Sequence, residues 1–225
     1  QDNSSDEEFT HDLVTWKIST GKGLDLCELC GGTARSSTIA TRRKLQVGKN
    51  FDLITNVDLG DRHNQAKVIL YIDDNEVLLV TMSPRCRTLG QPSSLNYQIN
   101  YNTWLEHFEE DKPHIAFCGT IALRQLKAWR HFLAEQPHPT WIWHVEPWPA
   151  VAQHERVGTR VIHQCMLGQT GHQELPAKKP TVVIASEDNL LVPFNNLKCD
   201  GSHELAESLG TKELHGQQVW PWKFA

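Results

Sequence analysis

The sequence contains no apolar run approaching the roughly 20 residues of a membrane-spanning helix. It opens on polar and acidic residues (Asp2, Asp6, Glu7, Glu8) and shows no pattern of a secretory signal. It lacks a charge excess strong enough for binding duplex phosphates by charge alone, since the net charge is −5. A local basic groove stays open. No internal repeat is visible. The six cysteines (Cys27, Cys30, Cys86, Cys118, Cys165, Cys199) are scattered, not spaced as a disulfide framework. Reduced thiols and an intracellular setting, nuclear or cytoplasmic, are therefore expected. Cys27 and Cys30 form a C-x-x-C, but no second pair follows at zinc-ribbon spacing. At 225 residues and 39% hydrophobic, the chain can build one domain with a sizeable core. The expected organisation is a flexible acidic leader over 1–20 and a single domain over 21–225.

What is present centres on residues 77–90, VLLVTMSPRCRTLG. Residues 77–81 are too short for a helix and continuously apolar until Thr81, the pattern of a buried strand. Pro84 cannot donate to a sheet ladder, so pairing should end there. Cys86 then falls in the turn beyond the strand's carboxyl end, where open α/β sheets bind ligands. With Arg85 and Arg87 on either side, positive charge should lower its thiol pKa. The competing reading is a half-buried structural cysteine.

Other segments build an α/β alternation. Residues 24–29 (LDLCEL) predict a first strand, followed by Cys30-Gly31-Gly32-Thr33 and a helix that runs through Lys44. A strand, a glycine turn and a helix N-terminus let a cofactor approach the backbone, although a plain tight turn has the same residues. Thr33 or Ser36 can cap that helix. Residues 51–57 predict a second strand ending at Asp58, a position suited to a ribose-binding carboxylate; Asp58 or Asp61 can equally cap the next helix, over 64–72. Residues 91–102 predict a long loop, and 104–109 and 117–129 two helices. Residues 131–137 (HFLAEQP) predict a strand that delivers Glu135 to the same edge as Cys86, or else a surface glutamate before a turn. The tryptophan-rich stretch 140–149 fits packing better than base stacking. The last strands are expected over 160–167 and 181–185, with a docking segment over 217–222. Cys199 and His203, with His163 and Cys165 upstream and His215 beyond, are residue types that hold Zn²⁺. Their C-x3-H spacing matches no established template, so no metal ligand is assigned.

Taken in succession, these motifs resemble the class I methyltransferases that use S-adenosyl-L-methionine (SAM), above all the DNA cytosine-5 methyltransferases. Glu28-Leu29-Cys30-Gly31-Gly32-Thr33 resembles the family's glycine motif, with Thr33 where a further glycine often stands. Pro84-Arg85-Cys86-Arg87 resembles its Pro-Cys loop, with Arg85 in place of a second proline. Glu135 resembles the glutamate that holds the base. Ser83-Pro84 also resembles the loop of N4-cytosine enzymes, without its aromatic residue. Lys178-Lys179-Pro180-Thr181 and Cys199-Asp200-Gly201-Ser202-His203 look like methyltransferase-like domains of retroelement polyproteins. The family's Gln-x-Arg-x-Arg segment has no counterpart, and no long target-recognition segment follows the last strand.

The resemblance implies a Rossmann-like, mostly parallel sheet with helices on both faces and SAM as cofactor. It implies Cys86 as nucleophile, Glu135 as base-holding acid, and Arg85 or Arg87 as phosphate or thiolate partner. Glu28, Cys30, Gly31, Gly32, Thr33, Asp58 and Pro84 would line the cofactor site. The implied partner is nucleic acid, DNA or RNA, with target recognition supplied by a partner protein or a larger polyprotein. The alternative is a catalytically degenerate fold that binds nucleic acid or protein.

Overall fold

A computed structural model describes residues 23–206 and 221–224. The acidic leader expected over 1–20 and residues 217–220 of the expected docking segment lie outside them. The chain builds a six-stranded sheet of order β2-β1-β3-β4-β6-β5. Its strands are β1 (Leu26–Leu29), β2 (Val47–Phe51), β3 (Leu79–Met82), β4 (His131–Pro137), β5 (Gly158–His163) and β6 (Pro180–Ala185). Strands β2, β1, β3 and β4 are parallel neighbours, and β6 runs against both β4 and β5. This is the mostly parallel, Rossmann-like α/β sheet expected from the sequence.

The helices are α1 (Arg35–Arg42), α2 (Arg62–Asp74), α3 (Gln91–Ile99), α4 (Tyr101–Lys127) and α5 (Trp148–Ala152). Strand alternation splits the apolar residues between two faces. Cys27, Leu29, Val80, Met82, Phe132 and Ala134 pack one way, against Val68 and Ile72 of α2, Ile115, Cys118 and Ile121 of α4, and Trp148 of α5. Trp148 is fully buried and its indole N–H donates to the Ile115 carbonyl at 2.9 Å. Leu133, Val183 and Ala185 point to the opposite face. There the cover is thinner: α1 lies over β1 and β2, and a 3₁₀ segment, Asp188–Phe194, covers β5 and β6 together with Phe224. Trp222 of the expected docking segment is exposed, and it is Phe224, just beyond that segment, that packs here, its ring centroid 5.2 Å from that of Phe194.

Four expectations change. The second strand lies earlier, and residues 53–55 are an exposed 3₁₀ turn closed by a reciprocal capping box between Asp52 and Thr55. Leu53 and Ile54 made that turn look like strand, yet they face solvent. The polar loop expected over 91–102 is instead α3 and the start of α4, since Pro92 suits the first turn of a helix. The two helices expected over 104–129 are one, which runs through Pro113. Its buried face (Trp104, Asp111, His114, Ile115, Cys118, Ile121, Ala122, Gln125) keeps helical spacing across the proline, and packing offsets the lost hydrogen bond. Finally, α1 ends at Arg42, and its N-cap is Ala34 with no side-chain cap, so neither Thr33 nor Ser36 serves. Asp61 does cap α2, accepting from the Asn64 N–H at 2.9 Å.

Candidate active site

The carboxyl edge of the parallel strands carries two groups of expected residues. The first lies where β3 and β4 end. Met82 is level with Ala134, so β4 outruns β3 by three residues. Glu135 is therefore not a strand tip; it sits mid-strand opposite Val183, and is buried. The chain leaving β3 turns beside this overhang, and Gln136 Nε2 donates to the Pro84 carbonyl at 2.6 Å, fastening the turn to β4. Pro84, expected beside a cofactor, is buried and its carbonyl is engaged by this bond.

Cys86 comes close enough to Glu135 for the carboxylate to act on the thiol. The thiol is pushed up from its ordinary 9.0 to about 11, first by burial, then by the Glu135 charge; Lys179 pulls the other way and Asp111 adds to the rise. The expected lowering by arginine does not occur. Both arginines point elsewhere, to a buried acid of α4: Arg85 Nη1 lies 3.3 Å from Asp111 Oδ1, and Arg87 Nε lies 3.0 Å from Asp111 Oδ2. Arg87 also reaches Glu110 at 2.8 Å and the His107 carbonyl at 3.3 Å. A carboxylate this buried needs partners, and two guanidinium groups supply them. Their role as thiolate partners is thereby corrected: they clamp the Cys86 turn to α4.

Around Glu135 the structure adds residues that the sequence did not single out for this place. Lys179 Nζ lies 3.4 Å from Glu135 Oε1. Gln164 Nε2 donates to the same oxygen at 3.2 Å and to Thr181 Oγ1 at 2.9 Å. The Gln164 side-chain oxygen Oε1 is buried and meets no partner among the described residues. These groups arrive on β6 and on the 3₁₀ turn Gln164–Leu167 after β5. A basic Lys-Lys-Pro entry to a strand was the only available signal, and it does not say which lysine turns inward.

The second group is the glycine turn after β1. Cys30, Gly32 and Ala34 all have positive φ (58°, 53° and 53°), so the turn is left-handed at alternate residues. Gly31 must be glycine on packing grounds, because a Cβ there would lie 2.5 Å from Glu28 Oε2 and 2.8 Å from Asn50 Oδ1. Beside Gly32, the space around an added Cβ is open to 4 Å. The turn's donors are engaged within the chain: Gly31 N–H donates to Asn50 Oδ1 at 3.2 Å and Gly32 N–H to Asp52 Oδ2 at 3.0 Å. Glu28 is buried, its Oε1 accepts from the Ser37 N–H at 2.6 Å, and burial raises its pKa. Thr33 is exposed.

Two assignments at this turn change. The carboxylate beyond the end of β2 is Asp52, not Asp58. Asp58 is exposed and accepts from the Gly60 N–H at 2.9 Å, a local turn bond. The Cys30 side chain leaves the turn and enters the core, where Sγ lies 2.8 Å from His114 Nε2. Burial and the neighbouring Cys118 thiol push the Cys30 thiol well above its ordinary value. Cys27 is buried apart from it among core residues and is pushed up to about 12 by burial, so the C-x-x-C pair does not act as a unit.

Of the tryptophans in 140–149, Trp148 packs in the core as expected. Trp141 does not: it is half exposed and joins Tyr97, Trp104 and His144 in an aromatic surface. That surface adjoins the Cys86 turn, since the Trp104 indole donates to the Thr88 carbonyl at 3.3 Å and Trp141 N–H to the Leu89 carbonyl at 2.9 Å.

No family model and no curated protein matches this sequence. Among solved structures, the chain is similar to the crystal structure of S. pombe Dnmt2 methyltransferase, with 11% sequence identity and a TM-score of 0.37. The likeness covers 73% of this chain and 49% of that one, so the chain spans about half the length of that neighbour. At that distance the likeness assigns no role to any residue.

Proposed function

We propose that the chain is a SAM-dependent methyltransferase-like protein that modifies C5 of cytosine in nucleic acid, with Cys86 as nucleophile. The observation that carries this reading is the parallel pairing of β3 and β4, which sets the Cys86 turn beside the end of the strand that holds buried Glu135, whose charge acts on the thiol. C5 of cytosine is a poor nucleophile, and addition of a thiolate at C6 makes it electron-rich. Glu135, held by Lys179 and Gln164, is suited to stabilise the charge that develops at N3. Gln164 Oε1 offers a buried acceptor in the same place. A target base has to leave its stack to reach these groups. SAM, when bound, supplies the electrophilic methyl group. The chain offers it the open space beside Gly32 and the Asp52 carboxylate, about 20 residues beyond the turn, the place of ribose-binding acids in dinucleotide folds.

A second reading, a degenerate fold that binds nucleic acid or protein, draws support from two features. The amides of the glycine turn already have partners in the chain, and the Cys86 thiol stays protonated at neutral pH. Incubating the chain with SAM and a 5-fluorocytosine oligonucleotide separates the two. The catalytic reading expects a covalent adduct that disappears in Cys86→Ala. SAM binding without an adduct removes the cytosine-5 chemistry, and absence of SAM binding leaves the degenerate fold.

A further inference from the structure

Away from that edge pair, Cys165, Cys199 and His203 converge where the segment after Phe194 returns to the end of edge strand β5. The two sulfurs and an imidazole nitrogen all lie within 4.8 Å of one another. Cys199 Sγ stands 3.6 Å from His203 Nε2. Ligands about 2.3 Å (sulfur) and about 2.0–2.1 Å (nitrogen) from a tetrahedral Zn²⁺ are separated by about 3.6 Å, so this spacing already suits a shared ion. We propose that Cys165, Cys199 and His203 form a zinc site that clips residues 195–206 to the end of β5.

The local chain is built to hold that geometry. Gly201 has φ +80°, which lets the chain double back between the two ligands of the C-x3-H turn. Asp200 Oδ1 accepts from the Ser202 N–H at 2.9 Å and closes the same turn. His163 Nδ1 accepts from the Cys199 N–H at 2.8 Å, and His163 N–H donates to the Leu197 carbonyl at 2.8 Å, so β5 pins the backbone on which Cys199 sits. Two thiolates and a neutral imidazole would give a charge-neutral Zn(Cys)₂His unit, with release of the two thiol protons. Cys199 and His203 are half-buried, so water can complete the fourth position.

The other thiol–imidazole cluster is a different object. Cys30 Sγ and His114 Nε2 are 2.8 Å apart, too close to share a tetrahedral ion, and form a direct hydrogen bond. The His114 Nδ1 is buried without a partner among the described residues, whereas zinc-bound histidines usually donate from their second nitrogen.

The test is cobalt titration of the full chain after chelation under reducing conditions. One equivalent of Co²⁺ should give sulfur-to-metal charge transfer and tetrahedral d–d bands, release about two protons, and be displaced by Zn²⁺. Saturating Zn²⁺ should raise the melting temperature by about 5–10 °C. Cys30→Ser/Cys118→Ser should keep the signal. Cys199→Ser and His203→Gln should each lose or blue-shift it, with folding checked by circular dichroism. The proposal is overturned by no thiolate-to-cobalt band in the reduced chain, by a band lost only in Cys30→Ser/Cys118→Ser, or by a Cys165–Cys199 disulfide that on reduction still takes up no metal.

Discussion

Two regions of one sheet edge carry the expected site residues, and they are finished differently. At the glycine turn the chain satisfies itself: Asn50 and Asp52 take the Gly31 and Gly32 amides, and Glu28 closes onto Ser37. At the β3–β4 edge Glu135 is held by Lys179 and Gln164, but the balance is incomplete. Burial and the Glu135 charge hold the Cys86 thiol protonated, and Gln164 Oε1 is buried without a partner among the described residues. Self-satisfied polar groups make a turn rigid, whereas unbalanced ones are where buried chemistry is usually found. On the catalytic reading proposed above, the second region carries the reaction and the first limits cofactor binding.

The comparison can be broken most severely at Cys86. On the catalytic reading, Cys86→Ala should lower methyl transfer to a cytosine oligonucleotide by about a thousandfold or more, and a radiolabelled transfer assay reads the loss. Glu135→Gln should cost roughly a hundredfold or more in the same assay. A variant retaining full transfer would remove the glutamate from the chemistry. The thiol itself gives a sharper measurement. Alkylation of Cys86 should be half-maximal near pH 11 in the parent chain. The midpoint should fall in Glu135→Gln and, by less, in Asp111→Asn, because each removes a negative charge that holds the thiol protonated; Lys179→Met should raise it.

At the glycine turn the expected effects are on stability. Gly31→Ala forces a Cβ against Glu28 and Asn50 and should cost about 1–3 kcal/mol by urea unfolding. A smaller effect should appear with pH. The folded-state pKa values of Cys86 and Cys27 lie above the ordinary 9.0, at about 11 and about 12. Their contribution is present in full below pH 9 and is lost as pH rises through those values, since the unfolded chain gives up its protons first. Melting temperature should decline between pH 9 and 12, and serine at both positions should flatten that decline.

Some of this arrangement could be read directly from residues. The short apolar run at 77–81, the glycine turn and the HFLAEQP strand gave the α/β order, because burial of a parallel strand leaves a continuous apolar signature. The parallel pairing of β3 and β4 fits that order, but Glu135 lies mid-strand and not at the tip the sequence suggested. The 53–55 turn did not follow, because Leu53 and Ile54 are apolar yet exposed, and nothing local distinguishes them from a strand. Nor did the single helix over the expected 104–109 and 117–129 segments, which packing carries through Pro113.

The sequence by itself determined which residue types reach the carboxyl edge, since alternation and chain order fix where each strand must end. Only the tertiary structure decided what charge surrounds them. Arg85 and Arg87 flank Cys86 in the chain but turn to a carboxylate of α4, while Lys179, distant in sequence, turns toward Glu135. Electrostatic interactions depend on separation in space and on burial, and neither is carried by neighbouring positions along the chain.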